Sequence, residues 1–163
     1  MNLSFNIKMT NFTEELYPTM FSKACEYAIR ATIYIAEQSN LNKRVSLKDI
    51  AKAIASPEAF TAKILQQLSK DQIIDSVKGP SGGFSIDKKK LQTLKLSQIV
   101  KAIDGDHIYK GCGLGFKECS ERKPCPVHDK FKVVRDELRN MLENTSVKEL
   151  SVNLGKGLSF LQK

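Results

Sequence analysis

No stretch of this sequence approaches the roughly 20 consecutive apolar residues that a membrane-spanning helix needs. The first nineteen residues also lack the charged, apolar and small-residue succession of a secretory signal. The expectation is a protein that stays in the cytoplasm and has no membrane partner. The sequence has no Ser-His-Asp order, no paired catalytic acids and no nucleotide fingerprint, so nothing in it supports enzymatic turnover. The glycine-rich stretch Lys78-Gly79-Pro80-Ser81-Gly82-Gly83 lacks the Lys-Ser/Thr ending of a nucleotide-binding loop, and a strand pattern rather than a helix follows it. Cysteine is sparse, at four residues. Three of them nevertheless fall between positions 112 and 125, and in a reducing compartment such a cluster reads as metal ligands or redox sensors before it reads as disulfides.

A chain of 163 residues with 41% hydrophobic content suits one core with an added arm better than two independent domains. Lys and Arg number 26 against 18 Asp and Glu, a formal charge of +8 that favours polyanionic partners. Residues 1–19 are polar and aperiodic, and a second methionine, Met20, follows. They read as a loosely held extension outside the fold, or as sequence upstream of the real start.

From Met20 the apolar positions Ala24, Ala28, Ala31 and Ile35 recur at helical spacing, predicting a first helix to about Gln38. Ser46 with Asp49 three residues later forms a capping pattern ahead of Leu47, Ile50 and Ile54. Ser56-Pro57 repeats the start signal, with Pro57 at the first helical position, and Phe60, Ile64, Leu65 and Leu68 supply a buried stripe. Two short helices joined by a tight turn make a helix-turn-helix. Residues 73–77 and 84–86 are β-prone runs around the glycine-rich loop, which predicts a hairpin wing. Leu96, Ile99, Val100 and Ile103 give one more helix, stopped at Gly105. Residues 105–126 are rich in glycine, proline and cysteine and cannot build a core, so something other than apolar burial must order them. A long final helix carries the narrow seam Val127, Phe131, Val134, Leu138 and Met141, which suits a partner helix in a homodimer. In the tail Leu150, Leu154, Leu158 and Leu161 recur at helical spacing, with Gly155 and Gly157 weakening the pattern.

The fold class is therefore mainly α with a small β-hairpin wing, a winged helix-turn-helix carrying a long C-terminal dimerisation helix. Its parts are an N-terminal extension (1–19), the DNA-binding domain (20–104), a cysteine-rich loop (105–126), and the dimerisation helix with its tail (127–163).

Ser56 opens the second helix of the pair, and Ala59, Ala62, Lys63 and Gln66 share its face opposite the apolar stripe. Lysine can reach guanine edges or phosphates, glutamine pairs with adenine, and alanines permit close approach, although a solvated face has the same composition. In the wing, Lys78, Gly79, Ser81 and Gly82 combine a cation with backbone that passes close to phosphates or enters a minor groove. The metal-ligating candidates are Cys112, Cys119, Cys125 and His128, spaced C-x6-C-x5-C-x2-H. Structural zinc favours tighter C-x2-C pairs, whereas wide spacing can wrap an iron-sulfur cluster, so the cluster is placed ahead of zinc and of a metal-free thiol sensor. Cys25, beside the first apolar stripe, reads as a buried thiol.

Taken together, Cys25-Glu-Tyr-Ala-Ile-Arg30, Leu47-Lys-Asp-Ile-Ala51, Lys63-Ile-Leu65, the wing Val77 to Phe84 and Ile99-Val-Lys-Ala-Ile-Asp-Gly105 resemble the Rrf2-type bacterial transcription regulators over residues 20–150. The resemblance implies a winged-helix homodimer on double-stranded promoter DNA, most often a repressor, with the cysteine loop near the DNA-binding domain. It also implies that Cys112, Cys119 and Cys125 ligate an iron-sulfur cluster, [2Fe-2S] ahead of [4Fe-4S], which senses iron-sulfur status, redox state or nitric oxide. His128 sits where the cluster-assembly regulators of the family have a histidine ligand. Glu26 sits where the nitric-oxide sensors supply an acidic ligand from the other subunit, so both remain candidates for the fourth position. Lys78 stands at a wing arginine that enters the minor groove, keeping its charge but losing its planar fork. Ala62 stands where a base-reading glutamate is found, so operator preference does not carry over. The Cys112 to Cys119 spacing is one residue wider than the family's, which the loop's glycines can absorb.

Overall fold

Ser22 opens the first helix by accepting a hydrogen bond from the Cys25 N–H at 3.1 Å. The computed structural model describes residues 20–162, so the expected extension 1–19 lies outside the described residues. Helix α1 (Lys23–Asn40) buries Cys25, Ala28, Ala31, Thr32, Ile35, Ala36 and Ser39. These side chains are mostly small, which lets neighbouring helices approach closely. The two buried hydroxyls donate to carbonyls one turn back, Thr32 to Ala28 at 2.8 Å and Ser39 to Ile35 at 2.7 Å.

Helix α2 (Leu47–Ala53) begins with the expected capping box between Ser46 and Asp49. Helix α3 (Glu58–Lys70) starts one residue later than the proline signal suggests. Pro57 keeps its required φ but takes an extended ψ of 135°, so it flanks the helix instead of opening it. Its carbonyl still accepts from the Thr61 N–H at 2.9 Å and the Thr61 hydroxyl at 3.0 Å. Between α2 and α3, Ala55 sits at φ 52°, a left-handed conformation that lets the turn close tightly.

Strands β1 (Asp75–Val77) and β2 (Gly83–Ser85) form the antiparallel hairpin, with Ser76 opposite Phe84. Val45 adds a bridge on the other edge of β2, its N–H donating to the Phe84 carbonyl at 3.0 Å and its carbonyl accepting from the Phe84 N–H at 2.8 Å. A side chain at Gly83 would place Cβ 2.7 Å from the Val45 carbonyl oxygen, so this approach needs glycine. Helix α4 (Lys88–Thr93) was not anticipated. Six residues with Leu91 as their one buried side chain give no periodic signal, and the helix rests on Asp87, which accepts from the Lys89 and Lys90 N–H groups. Helix α5 (Leu96–Ile103) ends at Asp104, and Gly105 takes φ 79° as the sequence suggests.

Helix α6 (His107–Lys110) is a single turn inside the cysteine-rich segment, anchored by buried Tyr109. The long helix α7 spans His128–Asn144, and only its first residue and Leu142 are buried. Of the predicted seam, Phe131, Val134 and Met141 lie exposed, joined by Val133, whereas Leu138 packs partly on the core and Val127 is half-buried ahead of the helix, so the seam is uncovered in part in the single chain. Helix α8 (Val147–Gly155) corrects the reading of the tail, because it packs on α1 with Val147 and Ser151 buried and Asn40 donating to the Ser151 hydroxyl at 3.1 Å. Gly155 and Gly157 fall at its end, where Gly157 takes φ 68°, so they terminate the helix without weakening its interior. The Val147 N–H donates to the Leu94 carbonyl at 3.0 Å. Chain beyond the long helix thus returns to pack on α1 and to bond the segment between α4 and α5.

Candidate DNA-binding face and metal centre

Burial of Thr61, Ile64, Leu65 and Leu68 fixes how α3 is rotated and turns the opposite face outward. Ala59, Lys63 and Gln66 are exposed and Ala62 is half-buried, so the four share an accessible surface. Ser56 is half-buried, and its hydroxyl is one of the buried polar atoms without a partner among the described residues. In the wing Lys78, Gly79 and Ser81 are exposed, and the tip closes through the Gly82 N–H donating to the Gly79 carbonyl at 2.9 Å. Neither Lys63 nor Lys78 has an ion-pair partner among the described residues, so both charges are available to phosphate.

The cysteine loop brings its donors together in two pairs. Cys119 Sγ lies 3.4 Å from His128 Nδ1. Cys112 contacts the Cys125 side chain. His128, at the start of α7, is 6% exposed, and its Nε2 is buried without a partner. Among the described residues no three His, Cys, Asp or Glu side chains converge in a metal-binding group. Glu26 belongs to neither pair and is held by Lys23 at 2.9 Å. Three soft sulfur donors and an imidazole in two touching pairs fit an iron-sulfur group in kind. Gly115, at φ 73° with open space around it, gives the segment between the pairs conformational freedom.

Two of the thiols are pushed in opposite directions. Hydrogen bonds from the Leu114 and Phe116 N–H groups hold the Cys112 thiol below its ordinary value, and contact with Cys125 and the Arg135 charge add to this. Burial pushes Cys25 the other way, up to about 12, with Asp104 and Glu26 adding to the effect. A thiol whose folded value is raised contributes stability that is complete below its unfolded value and is lost as pH rises toward the folded one. Stability is therefore expected to fall as pH climbs from the ordinary thiol range toward 12, and Cys25→Ala is expected to flatten that fall. Chemical denaturation across alkaline pH checks this, and an unchanged profile in the variant would count against it.

The profile of the Rrf2 family, described as an iron-dependent transcriptional regulator, matches residues 21–153. The chain belongs to the Rrf2 family. A relative from Aquifex aeolicus assigned to the HTH-type transcriptional regulators is 33% identical over 133 residues, covering 80% of this chain and 90% of the relative. IscR of Escherichia coli is 25% identical over 127 residues, 78% of this chain and 76% of IscR. Among solved structures, CymR, described as the global cysteine regulator of B. subtilis, superimposes with a TM-score of 0.66 at 18% identity, covering 81% of this chain and 95% of CymR. IscR of T. potens superimposes with a TM-score of 0.62 at 17% identity, covering 85% and 87%. The two structures share the winged-helix fold with this protein. As an Rrf2-family member the protein is a transcriptional regulator that binds DNA, and not an enzyme. None of its described helices is long and apolar enough to cross a membrane.

Two features of this Rrf2-family site escaped the sequence reading. Asp104 accepts from the Ser22 N–H at 2.9 Å and from the Ser22 hydroxyl, tying the end of α5 to the first turn of α1. The contact joins residues 82 apart, and no local pattern marks it. Arg135 and Arg139 lie one turn apart on α7 and line the same cavity as Cys119 and His128. In sequence they are two charges on a solvated helix face, and only their turn toward α6 distinguishes them.

Proposed function

We propose that this regulator acts in the cytoplasm as a homodimer, reads promoter DNA through α3 and the wing, and holds an iron-sulfur cluster on Cys112, Cys119 and Cys125 that sets its DNA affinity. The observation that carries this reading is the donor set of the loop. Three thiols and the buried imidazole of His128 stand in two contact pairs between α5 and α7. His128 is favoured over Glu26 as fourth ligand because it already touches Cys119, whereas Glu26 is paired with Lys23. When bound, the cluster would supply a group sensitive to oxidants, nitric oxide and iron supply.

The remaining steps belong to the chain's own residues. The Leu114 and Phe116 N–H groups favour the Cys112 thiolate. Rearrangement of the loop pulls on Gly105 and Asp104, and Asp104 is fastened to Ser22 at the start of α1. Because α1 packs directly on α3, strain at that junction reaches the recognition helix. In a dimer the two recognition helices must meet half-sites about 34 Å apart, so a small rotation of one against the other weakens both contacts. The exposed apolar stripe of α7 supports the dimer.

The deciding experiment is the visible spectrum, with iron, sulfide and zinc analysis, of protein purified without oxygen beside Cys112→Ala. A brown protein containing iron and sulfide, bleached in the variant, is expected. Stoichiometric zinc without colour, or thiols without metal, would end the cluster reading and favour zinc or thiol chemistry. On the DNA side, Lys63→Ala and Lys78→Ala are each expected to flatten the salt dependence of binding by about one unit of slope. Wild-type slopes in both would displace the DNA face from α3 and the wing.

A further inference from the structure

Beside the Cys119–His128 pair, which forms part of its wall, α6, the cysteine loop and one face of α7 border a cavity of about 250 Å³. Lys110, Lys132, Arg135 and Arg139 line it together with Glu121 and Asp136, leaving an excess of two positive charges among these six side chains. Both carboxylates are already engaged, Glu121 by Lys132 at 2.5 Å and Asp136 by Arg139 at 3.9 Å. Lys110 is paired with Asp106. Arg135 has no ion pair with a carboxylate among the described residues.

Two nitrogen atoms of the cavity's lining residues are buried with no hydrogen-bond partner, Arg139 Nε and His128 Nε2. The first is always a donor. The second is a donor whenever His128 Nδ1 accepts from the Cys119 thiol, the contact made at 3.4 Å. The imidazole is only 6% exposed, so solvent does not readily satisfy it. Buried donors without acceptors are costly. Here both belong to residues that line one cavity, together with Arg135, a guanidinium with no carboxylate to pair with among the described residues. What is missing is an acceptor-rich, negatively charged group.

We propose that this cavity is a binding site for a small oxyanion, a carboxylate or phosphoryl group, which accepts from His128 Nε2 and from the guanidiniums of Arg135 and Arg139. Planar guanidinium donors suit both anions through paired hydrogen bonds. The occupant would border Cys119 and His128, so its binding would bias the arrangement of the cysteine loop and give the regulator an effector input separate from the metal. The site does not depend on the cluster reading, because a histidine engaged through Nδ1 keeps Nε2 for the anion.

Calorimetric titration of the full-length protein, purified without oxygen, tests this with sodium phosphate and with sodium malonate at ionic strength held constant by chloride. One saturable site per protomer is expected. Arg135→Gln, a substitution at a half-buried residue away from the core, should weaken binding roughly tenfold or more. Arg139→Gln should do the same, with circular dichroism confirming that the helices persist. A Lys63→Ala, Lys78→Ala double variant should bind as wild type, which separates this site from anions on the DNA face. Binding of phosphate alone assigns a phosphoryl ligand, of malonate alone a carboxylate, and of both the shared chemistry. No heat beyond chloride, wild-type binding by Arg135→Gln, or loss of binding in the lysine double variant would each overturn the proposal. Iron and sulfide measured on the same samples make failure of the cluster reading separately visible.

Discussion

Truncation of Leu142 to alanine is expected to lower folding stability by about 2–5 kcal/mol, the range for removing a large side chain from a closed core. Leu142 is fully buried near the end of α7, whereas most of that helix faces outward. Just beyond it the Thr145 carbonyl accepts from the Leu96 N–H at 3.2 Å, and Ser146 bridges Lys95. Leu142 is therefore the apolar bolt that fixes the long helix and the start of α8 to the DNA-binding core. Urea unfolding with a linear fit measures the loss. A cost under about 1 kcal/mol would mean that the site collapses around the missing atoms and that α7 is not anchored there. Val134→Ala provides the contrast. Val134 is 60% exposed, so the single chain should barely notice its truncation, whereas dissociation of a dimer built on the α7 stripe should rise.

Gly82→Ala is expected to cost roughly tenfold to a hundredfold in DNA affinity while leaving the helical circular dichroism unchanged. A Cβ at this position would lie 2.2 Å from the Val77 carbonyl oxygen, with the Gly79 oxygen and the Lys78 carbonyl carbon both at 2.8 Å. All three are backbone atoms of the wing, so no side chain can swing away to make room. The turn closed by the Gly82 N–H and the Gly79 carbonyl must open, and Lys78 moves with it. Fluorescence anisotropy on a labelled promoter duplex reads the effect. Wild-type affinity would show that the wing tip makes no contact that matters. Gly79→Ala makes a useful companion, because its φ of 106° strains any side chain although the space around it is open.

Most of the architecture could be read in the sequence where apolar residues recur with a helical period. Ile64, Leu65 and Leu68 on α3 and Ile99 and Val100 on α5 are buried as their spacing demands. Ser46 with Asp49 marked a real capping box. What stayed hidden has a physical reason in each case. Helix α4 has one buried side chain and depends on the Asp87 cap, too little for a period to show. Helix α8 was undervalued because a glycine interrupting a helix and a glycine ending one look alike until the partner surface on α1 is known. In the cysteine loop, residue types announced soft-donor chemistry, but spacing alone does not say that Cys119 pairs with His128 and Cys112 with Cys125. Nor does it show that α6 turns Tyr109 into the core and brings Lys110 to the same cavity as Arg135.

The bridge between Val45 and Phe84 joins the wing to the residue immediately before the Ser46 cap of α2, and the Ile86 N–H is fastened to the Ser39 hydroxyl of α1 at 2.9 Å. The hairpin is thus stitched at two points to the α1–α2 segment on which α3 also packs, so wing and α3 share one support and form one head. A signal arriving from the loop has little leverage to distort such a head from within. In the proposed dimer the freedom left to it is the pose of the whole head relative to its twin, a change of gauge between two calipers.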